Sequence, residues 1–158
     1  MRDIADGLTD WLASGRRFAL ATVVRTWHSA PRQPGAAMAV AENGEVIGSV
    51  SGGCVEAAVY DLALESLSSG QAALQRYGIS DDDALSVGLT CGGILEVLVQ
   101  PVVDDVAAQI SAVLDAIARQ EPVAVISAIE GATRLGTSAV IRRDSVEGSL
   151  GGHPRLDT

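Results

Sequence analysis

Three glycine-marked segments carry most of the residues whose types and spacing suit chemistry: Ser29-Ala30-Pro31-Arg32-Gln33-Pro34-Gly35, Ser51-Gly52-Gly53-Cys54-Val55-Glu56 and Thr90-Cys91-Gly92-Gly93. In the second, a strand followed by a glycine turn and a helix start leaves backbone N–H groups unpaired, and a helix start favours an anion. Phosphate is the natural guest. The same helix start would favour thiolate at Cys54, while a small cysteine packed beneath the turn explains the residue as well. Cys91 stands between Thr90 and two residues without side chains, so a ligand can come close to its sulfur. A thiolate suits a thiophilic metal, yet one cysteine cannot close a structural zinc site. Arg32, between two prolines, is held extended and offers a two-point clamp for phosphate, with a plain surface arginine as the alternative. Each glycine pair also reads as a simple turn or bulge.

Other residues narrow the classes. All eleven basic residues are arginine, which removes Schiff-base and phosphate-loop lysine chemistry. A net charge of −9 is the wrong sign for holding many nucleic-acid phosphates. His28 and His153 read as isolated loop histidines, Asp81-Asp82-Asp83 as a solvated turn or cap, and no serine–histidine–carboxylate set is defensible, so no catalytic residue is assigned. No apolar run approaches the roughly 20 residues that cross a bilayer, and the amino terminus lacks a signal-peptide layout, so a cytoplasmic protein with no membrane partner and no disulfide is expected.

The elements that must position these segments follow from periodicity. Ile4, Leu8, Trp11 and Leu12 recur at helical spacing before Gly15, and a strand is expected over Phe18 to Arg25. Ala36 to Ala41 and Glu45 to Val50 form a hairpin about Glu42-Asn43-Gly44. A helix starting near Cys54 ends at Gly70; strands follow at Ala72 to Tyr77 and Ile94 to Val99. Asp104 is placed to cap a helix bearing Val106, Ile110, Val113, Leu114 and Ile117, before a strand at Val123 to Ile129. The fold class is α/β, a mixed β-sheet with flanking helices. It contains a partial internal repeat, because Phe18 to Val24, Gly35, the hairpin and Gly48 to Gly53 are echoed by Val123 to Ile129, Gly136, Ser138 to Ile141 and Gly148 to Gly152. Leu156-Asp157-Thr158 reads as a helix start without its helix, so residues 1–158 are expected to be one domain of a longer protein. If the strands ending near Val50 and beginning near Ile94 lie antiparallel in one sheet, both glycine turns would share one edge, and a cleft there would hold both sulfurs and Arg32.

Taken in order, Ser29 to Gly35, Gly48 to Glu56, Tyr77-Gly78-Ile79-Ser80-Asp81 and Gly88 to Gly93 resemble the amino-terminal domain of the xanthine dehydrogenase accessory factor family, XdhC/CoxI, over roughly residues 10 to 155. The resemblance implies an accessory chaperone rather than an enzyme. Such a factor transiently binds the molybdenum cofactor (molybdopterin), protects it, and delivers its sulfurated form to a xanthine or carbon monoxide dehydrogenase-type molybdenum hydroxylase. Cys91 best matches the family's cofactor cysteine and is the implied metal contact. Thr90, Gly92, Gly93, Ser51, Gly52, Gly53, Cys54 and Arg32 complete the implied cofactor-binding set. Some relatives carry histidine at the position of Cys54. Longer members continue into a dinucleotide-binding domain, whose G-x-G-x-x-G fingerprint this sequence lacks. A sulfurtransferase partner and a homo-oligomer stay open, as do two other readings: a cysteine-dependent redox or sulfur-transfer enzyme, and a docking module for dehydrogenase assembly.

Overall fold

The computed structural model describes residues 1–78, 92–131 and 134–150. A short 3-10 turn, Arg2–Ile4, leads into α1 (Ala5–Ala13), and three strands follow: β1 (Phe18–Trp27), β2 (Ala37–Ala41) and β3 (Val46–Gly48). Then come α2 (Glu56–Ser69), β4 (Ala73–Tyr77), β5 (Ile94–Pro101) and α3 (Asp104–Ala118). A second set of strands closes the described chain: β6 (Ala124–Ser127), β7 (Ser138–Ile141) and β8 (Val146–Gly148).

The first sheet has the order β3-β2-β1-β5-β4 and the second β6-β7-β8. Every described strand pair is antiparallel, so the sheet expected to be mixed contains no described parallel pair. The physical reason is connectivity: β1, β2 and β3 follow as hairpins, and the α2 crossover carries the chain to β4, where it pairs with β5 rather than with a parallel neighbour.

Alternation along β1 separates two cores. Ala19, Ala21 and Val23 join Met38, Val40, Val50, Val55, Val59 and Leu95 beneath α2, while Phe18 and Leu20 face the other way, toward Leu8, Trp11, Ile110 and Leu114 of α1 and α3. That period of two makes a sheet covered on both faces. Burying side chains such as Leu8, Phe18 and Val59 stabilises the fold by about 1.5–3 kcal/mol each. β1 runs two residues past its expected end because its ladder with β5 continues to Trp27↔Ile94, across an irregularity between Val23 and Arg25.

α3 also touches the second sheet, through Ala112 and Val113 against Val140. The two meanders share local bonds. Val23 N–H donates to Ala36 O (2.9 Å) and Gly35 N–H to Val23 O (2.8 Å), as Ala128 N–H does to Thr137 O (2.8 Å) and Gly136 N–H to Ala128 O (2.9 Å). The exits of the helices before them match likewise: Ser14, Gly15 and Arg16 donate to Asp10, Leu12 and Trp11, and Arg119, Gln120 and Glu121 donate to Asp115, Ile117 and Ala116. Asp104 is not a cap. The N-cap of α3 is Val103, without a side-chain bond, and Asp104 is the first helical residue, where its charge still suits the positive end of the helix. No helix among the described residues is long and apolar enough to cross a membrane.

Candidate functional site

The turn between β3 and α2 is organised by Glu56, the first residue of α2. Its Oε1 accepts hydrogen bonds from Ser49 Oγ (2.7 Å) and from the N–H groups of Val50 (3.2 Å), Ser51 (2.9 Å) and Gly52 (3.0 Å). Its Oε2 accepts from Ser51 Oγ, Gly53 N–H (2.8 Å) and Val55 N–H (3.2 Å). The two serines extend the array: Ser49 Oγ accepts from Gly52 N–H (2.9 Å), and Ser51 Oγ accepts from Cys54 and Val55 N–H, both at 3.0 Å. The helix starts at Glu56, two residues past Cys54, because residues 51–54 wrap the carboxylate before Val55 O accepts the first helical bond from Val59 N–H.

Burial pushes the Glu56 carboxyl up, but hydrogen bonds from Ser49, Ser51 and the loop amides outweigh it and hold the group down at about 2. The turn was expected to offer these amides to phosphate. Instead they hold the chain's own anion. What the turn presents outward is different: Gly52 (φ 79°) and Gly53 (φ 117°) are exposed, and a Cβ on either would meet no heavy atom of the described residues within 4 Å. Cys54 is half-buried and packs at the border of the α2 core.

The other glycine segment lies at the same end of the sheet. β3 and β5 run antiparallel to each other through β2 and β1, so the end of β3 and the start of β5 point the same way. Sharing an end is not contact, since two intervening strands set β3 and β5 about 14 Å apart. Val50 and Val55, flanking the first turn, nonetheless share one core cluster with Tyr77 and Leu95, which flank the second. Gly93 is where three segments meet. A Cβ there would lie 2.9 Å from the backbone of Ser29 and Ala30, and a Cβ on Gly78 would lie 2.8 Å from Gly93 O. The first and third motifs thus touch through backbone at a point only glycine tolerates. A Cβ on Gly92 would meet no heavy atom of the described residues within 4 Å, whereas Thr90, Cys91 and Asp81 to Asp83 lie outside the described residues.

Arg32 is drawn elsewhere. Its Nη2 pairs with Asp3 Oδ2 at 2.6 Å, on the turn whose Ile4 packs on the face opposite α2. The expected cleft includes Cys91 and so lies partly outside the described residues. A cavity of about 690 Å³ is lined by Gln100, Asp104, Gln109, Arg134 and Glu147, and one of about 490 Å³ by Leu20, Pro34, Gly35, Leu98, Ile110 and Val140; the first glycine-marked segment thus reaches the second cavity through Pro34 and Gly35, while Gly52, Gly53, Cys54 and Arg32 line neither. Among the described residues no cluster of three potential metal-ligating side chains occurs. Sequence reasoning assigned no role to Glu56 or Ser49. An acidic residue immediately after a turn rich in free amides was the signal that could have found Glu56.

Residues 11–78 match the XdhC and CoxI family. Over 82 residues, 52% of this chain, the sequence is 44% identical to the molybdenum cofactor insertion chaperone PaoD of Escherichia coli (strain K12), of which it spans only 26%. A crystal structure named as a xanthine dehydrogenase from Bacillus halodurans matches 95% of this chain and 46% of its own, with a TM-score of 0.77 at 23% identity, and shares the fold.

Proposed function

We propose, from the match of residues 11–78 to the XdhC and CoxI family, that this chain serves molybdenum cofactor maturation: it receives the cofactor, shields it and passes it in sulfurated form to a xanthine or carbon monoxide dehydrogenase-type hydroxylase. The observation that carries the reading is the 44% identity over 82 residues to a protein named as a molybdenum cofactor insertion chaperone. The reading makes the chain a carrier and not a catalyst.

The described residues fit one end of such a cofactor. Gly52 and Gly53, exposed and with no described heavy atom within 4 Å of a Cβ on either, leave bare backbone for a flat pterin, and Cys54 beside them supplies a soft donor. The amides of residues 50–55 do not fit its phosphate, because Glu56 engages them. When bound, the cofactor would supply a thiophilic metal, for which Cys91 is the proposed ligand. Thr90 and Gly92 would line its approach, while Gly93 is buried against the Ser29–Ala30 backbone; Ser51 supports the turn through Glu56 rather than through the ligand.

The test is retention of molybdenum cofactor by the full chain after gel filtration, with Cys91→Ala and Cys54→Ala alongside. The parent should retain cofactor, with Cys91→Ala losing more of it than Cys54→Ala. Equal retention by all three would overturn the assignment of Cys91, and no retention by the parent would overturn the function.

A further inference from the structure

Six successive backbone N–H groups, from Val50 to Cys54 and on to Val55, all find acceptors inside the turn. The acceptors are Glu56 itself, the hydroxyl of Ser49 and the hydroxyl of Ser51, the last oriented by its own donation to Glu56 Oε2. A run of convergent amides at a helix start normally recruits an anion from solution. Here the anion is tethered to the same short segment, and a group on a short tether competes at an effective concentration on the order of mM or more. A net charge of −9 on the chain adds no help to an incoming anion.

We propose that Glu56 is a positioning residue that acts as the resident anion of this turn: it closes the amides of residues 50–55 to external phosphate and presets the Gly52-Gly53-Cys54 surface. The inference goes beyond the maturation role and is tested without cofactor. Glu56 acts through its neighbours. One oxygen fixes Ser49 and the amides up to Gly52, the other fixes Ser51 and Gly53, and Ser51 then holds the amide of Cys54. Any anionic ligand of this protein must therefore find its charge partner outside the turn.

The experiment uses the full chain carrying Cys91→Ala, which leaves Cys54 as its sole thiol, and follows Cys54 alkylation by iodoacetamide together with the backbone amide resonances of residues 50–55. Removing the carboxylate with Glu56→Ala should accelerate alkylation about tenfold, the scale of losing a charge-assisted hydrogen bond. Added formate, which fits the vacated space, should return the rate toward that of the parent. Neither formate nor inorganic phosphate should alter the rate or the resonances when Glu56 is present. If Glu56→Ala does not fold, Glu56→Gln should show the same acceleration, and the phosphate titration of the Glu56-containing protein stands by itself. Phosphate-dependent shifts of those amides with Glu56 in place, or an accelerated Glu56→Ala protein that formate leaves unchanged, would overturn the proposal.

Discussion

Replacing Glu56 by Gln preserves its size and removes its charge, and the structure sets both the sign and the size of the effect. In the folded chain the carboxyl is held at about 2 against an ordinary 4.5. A depressed folded value means that the carboxylate contributes stability above the unfolded pKa, and that this contribution is lost as pH falls from about 4.5 toward 2. For a fully buried group the shift corresponds to roughly 3 kcal/mol, and solvent screening at this partly exposed site reduces it to about 1–2 kcal/mol. Gln also turns an NH₂ toward donors that need an acceptor, so its deficit at neutral pH should not fall below that range. Thermal unfolding of parent and Glu56→Gln should differ by roughly 2–8 °C at pH 7, at about 2–4 °C per kcal/mol for a chain of this size. The gap should shrink steadily between pH 5 and pH 2. Other carboxylates, such as Asp3 and Glu130, titrate in both proteins and cancel in the difference. A gap that stays constant across this range, or no gap at neutral pH, would show that the carboxylate does not hold the turn.

Gly93→Ala should destabilise the fold by about 1–3 kcal/mol in urea titration, because its Cβ would press on the Ser29–Ala30 backbone, which has no side-chain freedom to yield. Gly52→Ala, with a positive φ but open space, should lose only about 1–2 kcal/mol from backbone strain; a larger loss than at Gly93 would contradict the packing described. Burial raises the Tyr77 phenol to about 12, so ultraviolet titration should show one tyrosine resisting ionisation until that pH. Its contribution to stability is present below the ordinary value near 10 and is lost as pH rises toward 12; ionisation of Tyr77 near 10 in the folded chain would refute its burial.

Much of the architecture was legible as pattern. The hairpin about Asn43-Gly44 is present, with Ala41 N–H donating to Glu45 O at 2.8 Å, because an Asn-Gly pair specifies its turn within a few residues. α2 ends at Ser69 before Gly70, and α3 spans Asp104–Ala118, its apolar stripe buried through Ile110, Val113 and Leu114. Local signals of this kind need no distant partner. The position of Asp104 misled for the same reason: Ncap preference is a local tendency, and the chain entering from β5 put Val103 there instead.

The sequence by itself determined most of the elements and the order of the glycine motifs, since hydrophobic period and turn chemistry are encoded in neighbours along the chain. Only the tertiary structure decided what the motifs face. Arg32 bonds Asp3 because the chain's first turn folds back over the sheet, and Gly93 must be glycine because the Ser29–Ala30 loop crosses it. The amides of the Ser51–Val55 turn hold Glu56 and not phosphate, because a carboxylate's reach in three dimensions, rather than its spacing in sequence, decides which donors it satisfies.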